Sequence, residues 1–124
     1  MPIGVERLKK RADFLRVASV RRKWAAPGMV LQAARGTATG ETDVSRVGFT
    51  VTKKVGNAVV RNRIKRRLRA AADQVIPEHA ARGWDFVLIG RQSSLNRDFD
   101  DLTADLRLAL DKVGAAASAE RGTR

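Results

Sequence analysis

Residues 46–69 read RVGFTVTKKVGNAVVRNRIKRRLR, and the period of the hydrophobic pattern changes within this stretch. Up to residue 55, apolar residues alternate with small or polar ones, which predicts a strand as part of an extended run over residues 44–55. After Asn57, apolar residues recur every three or four positions, which predicts an amphipathic helix that ends near Pro77. A strand that leads directly into a long helix is therefore the central unit of the fold.

Four further segments carry a periodic pattern. They are a helix from Asp13 to about Arg22, a strand over residues 29–35 that ends in a turn over 36–40, a strand over residues 84–91, and a helix that begins at Asn96 or Asp98 and ends near Val113. Residues 114–124 have no stripe of large apolar side chains, which predicts a disordered tail. The sequence thus predicts one α+β domain over residues 1–113 and a tail over 114–124.

The composition excludes many kinds of catalytic site. The chain has 124 residues, no cysteine and one histidine, His79, so zinc fingers, thiol nucleophiles and disulfide scaffolds are excluded. It has no apolar run long enough to span a bilayer, and we expect a cytoplasmic protein. With 25 Lys and Arg against 13 Asp and Glu, the net charge of +12 favours a polyanionic partner.

The positive charge is concentrated in the N-terminal arm and in the predicted central helix. Residues 57–69 contain six basic residues and no acidic one. Arg61, Lys65 and Arg69 lie one turn apart along the helix, where like charges repel by a few tenths of a kcal/mol per pair, roughly. Stability alone would not select this arrangement. Two explanations of the basic helix remain. It is either an ordinary solvated basic face or a surface that binds a polyanion, which would offset the repulsion.

The residues before the helix favour phosphate as the ligand. Gly56 and Asn57 leave the first backbone N–H groups of the helix free, and Lys53 and Lys54 precede them. Arginine side chains bind phosphate oxygens in pairs or stack on bases. Asn62 is the neutral residue in this row with a side chain able to read a base or ribose edge.

Over residues 46–69 the chain closely resembles the bacterial ribonuclease P protein family, with that family's strand followed by its Arg-Asn-Arg helix. The resemblance implies a single-domain α-β sandwich with a small central sheet and a left-handed βαβ crossover. It also implies an RNA-binding subunit that assists a catalytic RNA in removing the 5′ leader from precursor tRNA at low Mg²⁺. In that family Mg²⁺ acts through the RNA, and we expect no catalytic residue, metal site or cofactor in this chain, which would be monomeric before assembly.

The resemblance also implies two RNA-binding surfaces. Docking on the catalytic RNA would involve Lys53, Lys54, Arg63, Arg66 and Arg67. A cleft for the single-stranded leader would involve Phe14, Gln32, Thr50, Arg61, Asn62, Lys65 and Arg69. Ala18 and Gln32 stand where many family members have aromatic residues, so we expect leader binding here to depend more on phosphate contacts than on base stacking.

Other interpretations remain open from the sequence. A structural RNA-binding protein, such as a ribosomal component, would carry a similar basic helix. A DNA-binding or membrane-surface module is less consistent with the pattern, because the apolar stripe of the helix suits a sheet and no second helix follows at turn distance.

Several single residues also have two interpretations. Asp98 and Asp101 fit the first turn of a helix better than a metal site, and His79 is predicted at the surface. Trp24 would stack on a base or be partly buried, and Trp84 is predicted in the core. Phe14 would belong either to the cleft or to the core.

Overall fold

The computed structural model of the protein describes residues 5–36 and 44–117, which form five strands, three α-helices and two short 3-10 helices. The strands are β1 (Val5–Arg7), β2 (Lys23–Ala25), β3 (Met29–Arg35), β4 (Ser45–Thr50) and β5 (Trp84–Gly90). The α-helices are α1 (Arg11–Val20), α2 (Ala58–His79) and α3 (Phe99–Lys112). The 3-10 helices are Lys53–Val55 and Gln92–Leu95.

The strands form one mixed sheet in the order β1-β4-β5-β3-β2. β4 is parallel to β1 and to β5, whereas β3 is antiparallel to both β5 and β2. Because α2 connects the parallel neighbours β4 and β5, the predicted βαβ crossover is present. The predicted α+β class is confirmed, and the left-handedness of the crossover stays a prediction from the resemblance.

One face of the sheet packs against α2 and α3. Phe86 and Leu88 of β5 contribute to this core with Ile64 of α2 and Leu102 of α3, and all four are fully buried. Burying a side chain of this size stabilises the fold by about 1.5–3 kcal/mol. α2 lies so close to the sheet that a Cβ atom at Gly90 would stand 2.6 Å from Cγ2 of Ile64. This core fixes α2 on the sheet, and the outer side of the helix is exposed.

The opposite face, called here the α1 face, is covered only in part. Val17 of α1 packs with Leu8 and Val87 in a second, smaller apolar cluster. Beside this cluster, Asp85 of β5 lies buried and accepts hydrogen bonds from both Arg46 of β4 and Arg16 of α1. α1 is therefore attached to the sheet by a few apolar contacts and an ion-pair cluster.

The extended run predicted over residues 44–55 is shorter in the structure. β4 ends at Thr50, and a 3-10 helix forms over Lys53–Val55. Val51 is buried beyond the end of the strand, near the position that a Cβ atom on Gly90 would occupy. The apolar alternation continues because Val51 still faces the core, although the backbone has left the sheet.

The two edge strands β1 and β2 were not predicted. Each has three residues, and of these six only Val5 is buried. A strand this short and exposed carries no apolar alternation, so its pairing with a neighbouring strand is what defines it.

The ends of the other elements differ from the predictions by a few residues. α1 begins at Arg11, which places Asp13 in its first turn rather than at its cap. α2 continues through Pro77 to His79, and buried Val75 and Ile76 hold this last turn against the core. A proline here removes one backbone hydrogen bond, which the packing offsets.

The first residues of the predicted tail are packed against the domain. Ala115 and Ala116 are buried, and the Ala115 carbonyl accepts a 2.7 Å hydrogen bond from the Ala81 N–H. The packed chain therefore extends past the predicted boundary at residue 113. The rest of the predicted tail, residues 118–124, and residues 37–40 of the predicted turn lie outside the described residues.

Candidate nucleic-acid interface

The N-terminus of α2 is capped by the residue that precedes it. Oδ1 of Asn57 accepts a 2.9 Å hydrogen bond from the Val60 N–H. Lys53 and Lys54 are exposed in the 3-10 helix just before this cap. The predicted anion site is thus reduced by one N–H group, while the two lysines remain available to a phosphate.

The outer side of α2 is basic and exposed. Asn62, Arg63 and Arg66 are exposed, and within residues 5–36 and 44–117 none of them forms an ion pair or a side-chain hydrogen bond. The acidic residues that form ion pairs in this part of the chain, Asp13, Asp85 and Asp105, are bound to other arginines. Among the described residues, these basic groups therefore have no acidic partner.

One flank of α2 holds the half-buried row Arg61, Lys65 and Arg69. The Arg69 guanidinium lies 5.6 Å from the ring centroid of Phe49 in β4, and the Arg7 guanidinium of β1 lies 5.9 Å from the same centroid. The buried Nε atoms of Arg61 and Arg69 have no hydrogen-bond partner among the described residues. Arg7 thus extends this cationic flank onto β1, a contribution that was not predicted because β1 itself gave no signal.

Arg67 has a structural role that differs from its predicted one. Its Nη1 atom donates to the carbonyls of Ser94, at 2.5 Å, and Leu95, at 3.0 Å, and its Nη2 atom donates to the Arg97 carbonyl. The guanidinium therefore ties α2 to the segment before α3, and its terminal donors are engaged by backbone. That Arg67 docks on RNA stays a prediction, and its side chain lies along the opposite flank of α2 from Arg69.

Beside α1, a strip of the α1 face is only half covered, and this strip is called here the groove. Its floor and walls are half-buried residues, which are Phe14, Val30, Gln32, Thr50 and Ile89. Val30 pairs with Ile89, and Thr50 pairs with Ile89 from the other side, so these three form one row across the sheet. Gly48 lies beneath the Phe14 ring, since a Cβ atom there would stand 2.5 Å from Cζ of Phe14. Phe14 is therefore both a wall of the groove and a packing residue.

The structure divides the predicted leader cleft between the two faces of the sheet. Phe14, Gln32 and Thr50 lie on the α1 face. Arg61, Asn62, Lys65 and Arg69 belong to α2, which packs on the other face. Among the described residues no hydrogen bond or ring contact joins these four to the groove. The spacing of residues along one strand or helix predicts which of its side chains share a side. Which helix covers which face of the sheet depends on tertiary packing.

Ion pairs hold α1 and the segment before α3 in position. Arg46 binds Asp85 through two hydrogen bonds of 3.0 and 2.8 Å and also reaches Asp13 at 3.3 Å. The hydrogen bonds that Arg46 donates to Asp85 raise the pKa of Arg46 above its ordinary value. Likewise, the hydrogen bond to Asp105 raises the pKa of Arg97. Arg46 and Arg97 therefore form ion pairs within the protein that hold its elements together.

The remaining predicted residues have ordinary surroundings. In the described part of the chain, no group of three or more His, Asp or Glu side chains is placed to hold a metal ion. Trp84 is buried as predicted, Trp24 is partly exposed beneath Lys112, and His79 is half-buried. No described helix is both long enough and apolar enough to cross a membrane.

Comparison with known proteins identifies one family. Residues 4–114 match the family model Ribonuclease P. The ribonuclease P protein component of Paramagnetospirillum magneticum is 59% identical over 116 residues, covering 93% of this chain and 87% of that protein. That of Gluconacetobacter diazotrophicus is 56% identical over 108 residues, covering 87% and 90%.

Solved structures give the same result. The RNase P protein of Staphylococcus aureus superposes with a TM-score of 0.68 at 32% identity, covering 85% of this chain and 92% of that one. The protein from Thermotoga maritima superposes with a TM-score of 0.71 at 26% identity, covering 86% and 96%.

Proposed function

The chain belongs to the ribonuclease P protein family, and from this premise we propose that it binds a catalytic RNA and precursor tRNA and assists removal of the 5′ leader. In this proposal the RNA and its Mg²⁺ ions carry out the hydrolysis, and the protein supplies no catalytic residue and no cofactor. The protein stabilises the RNA at low Mg²⁺, enters the complex as a monomer, and acts in the cytoplasm.

The observation that carries the proposal is the cationic side of α2. Arg63 and Arg66 on its outer side, and Lys53 and Lys54 before it, have no acidic partner among the described residues. Repulsion between these groups is offset when they contact a polyanion, and each phosphate contact also releases a counterion from the RNA. This surface supports docking on the catalytic RNA.

The groove on the α1 face supports binding of the leader. A single RNA strand offers a charged backbone and flat apolar bases, and the groove has an apolar floor of Val30 and Ile89 with Phe14 at its wall. Gln32 and Thr50 supply hydrogen-bonding groups at its edges. Leader contacts are also predicted for four residues of α2, and these stay predictions that the reconstitution below addresses. The four residues are Arg61, Asn62, Lys65 and Arg69.

Reconstitution tests this function directly. We expect the protein alone to cleave nothing, and the protein with its cognate RNA to increase cleavage of precursor tRNA at low Mg²⁺. Replacing both Arg61 and Lys65 by alanine should lower the slope of log affinity against log salt by roughly 0.7–0.9 for each lost phosphate contact. Arg107→Ala, on α3 and without an ion pair or ring contact among the described residues, is the matched control and should leave the slope unchanged.

Two outcomes would contradict the proposal. The first is equal affinity for the cognate RNA and for an unrelated structured RNA. The second is cleavage of precursor tRNA that the protein leaves unchanged at low Mg²⁺. Binding to ribosomal RNA with no preference for a leader would instead favour a structural RNA-binding protein.

A further inference from the structure

Lys23 lies on the α1 face at the edge of the groove. In β2 it pairs with Gln32 of β3, and paired residues of neighbouring strands point to the same side of a sheet. The next residue, Trp24, pairs with buried Leu31 and lies on the α2 and α3 side. Lys23 is exposed and has no partner among the described residues. It therefore adds a positive charge directly beside Gln32.

Arg91 lies on the same face at the end of β5. A Cβ atom on Gly90 would meet Ile64, so position 90 faces α2, and the extended backbone of Arg91 (φ −119°, ψ 167°) turns its side chain to the opposite face. Its Nη1 atom donates a 2.7 Å hydrogen bond to the Ala26 carbonyl. Within the described residues its guanidinium makes no other hydrogen bond, and the residue is exposed. Its remaining N–H groups are available to a ligand.

The two cations lie on opposite sides of an apolar floor. Paired residues of neighbouring strands form rows across the sheet. Lys23 belongs to the row that contains Gln32 and Val87, and the next row on this face contains Val30 and Ile89. Arg91 follows two residues after Ile89, beyond that second row. An extended ligand chain that runs across this floor from Lys23 to Arg91 passes over the side chains of Val30 and Ile89. A flexible chain with negative charges at intervals and apolar faces between them matches this arrangement.

We propose that Lys23 and Arg91 each bind a phosphate of the leader where it crosses the groove. This inference rests on the proposed function, in which the groove holds the leader, and it assigns two contacts that the sequence did not indicate. The ligand class is single-stranded RNA bound through its backbone. Because the two positions expected to carry aromatic rings are Ala18 and Gln32, these two charges replace part of the binding that base stacking would supply.

The test uses the reconstituted holoenzyme and two precursor tRNAs, one with a leader of ten nucleotides and one with a leader of two. The variants are Lys23→Gln and Arg91→Gln, with Arg107→Gln on α3, a cation with no ion pair or ring contact among the described residues, as the control for loss of a charge. For the long leader, each groove variant should weaken binding by up to about fivefold. It should also lower the slope of log affinity against log salt by roughly 0.7. For the short leader, and for the control variant, binding should not change.

A charge-conserving variant separates phosphate binding from the structural hydrogen bond of Arg91. Arg91→Lys keeps the positive charge, so its salt slope should equal that of the unmodified protein even if the contact to Ala26 is lost. Equal losses in Arg91→Lys and Arg91→Gln would overturn the assignment of Arg91. Lys23 has no hydrogen bond or ion pair with the described residues, so Lys23→Gln tests the other contact independently.

The outcomes distinguish the two proposals. If the unmodified protein binds long and short leaders equally well, the proposed leader groove is wrong. If it prefers the long leader, and both Lys23→Gln and Arg91→Gln retain that preference and the full salt slope, the groove stands and the present inference is wrong.

Discussion

At the scale of single residues, the contact between Gly48 and Phe14 determines how α1 meets the sheet. A Cβ atom at position 48 would stand 2.5 Å from the Phe14 ring and 3.2 Å from Cβ of Leu8. We expect Gly48→Ala to lower the free energy of unfolding by about 1–3 kcal/mol, because the ring must move. Urea denaturation measures this loss. In a Phe14→Ala background the loss should shrink, and an unchanged loss would show that the ring is not the obstacle.

Arg66 and Arg67 are neighbours with the same side chain and different surroundings. Arg66 is exposed, whereas Arg67 donates to three backbone carbonyls. We expect Arg67→Ala to lower the free energy of unfolding by about 2 kcal/mol, because hydrogen bonds from a charged group are lost. Urea denaturation and RNA titration at several salt concentrations measure both properties.

Arg66→Ala is the matched control for that experiment. It should change the free energy of unfolding by less than about 0.5 kcal/mol relative to the unmodified protein. It should also lower the slope of log affinity for the catalytic RNA against log salt by roughly 0.7–0.9. For Arg67→Ala we expect no change in that slope. A lower slope for Arg67→Ala in a folded protein would support the prediction that Arg67 also docks on RNA.

At the scale of elements, the ion-pair cluster around Asp85 attaches α1 to β4 and β5. The Asp85 side chain is 2% exposed and binds both Arg46 and Arg16. We expect Asp85→Asn to lower the free energy of unfolding by about 3 kcal/mol, because two arginines lose their counterion. Asp111→Asn, at an exposed position of α3, should change it by less than about 0.5 kcal/mol.

The pH dependence of this loss follows from the pKa of Arg46, which the hydrogen bond to Asp85 raises above its ordinary value. A basic group whose pKa is raised on folding stabilises the fold fully at any pH below its pKa in the unfolded chain. This stabilisation is lost only as the pH rises through its pKa in the folded protein. The loss from Asp85→Asn should therefore be equal at pH 6 and at pH 9 when measured by urea denaturation. A loss confined to one of these pH values would mean that another titrating group controls the cluster.

At the scale of the whole molecule, whose net charge is +12, the described residues place cationic groups on both faces of the sheet. Cationic groups follow α2 on one side, and Lys23 and Arg91 border the groove on the other. Since copies of such a molecule repel each other, we expect the free protein to sediment as a monomer of 13.6 kDa at physiological salt. Sedimentation equilibrium measures this mass. A dimer under these conditions would contradict the proposed monomeric entry into the complex.

The predictions that succeeded depend on local periodicity. β3 covers the predicted residues, β5 ends one residue early, and α2 has its predicted apolar stripe through Ile64 and Leu68. β1 and β2 were missed because three exposed residues carry no periodic signal. The hydrogen bonds of Arg67 were missed because its carbonyl partners lie 27 to 30 residues away along the chain.

By itself, the sequence determined the α+β class, the basic helix and the family, because these depend on residue order and on the spacing of side chains along one element. Only the tertiary structure decided that α1 and α2 lie on opposite faces of the sheet, that Arg67 serves the fold, and that Lys23 and Arg91 share a face with the groove. These properties depend on strand pairing and helix packing, which join residues distant in the chain and which local spacing does not encode.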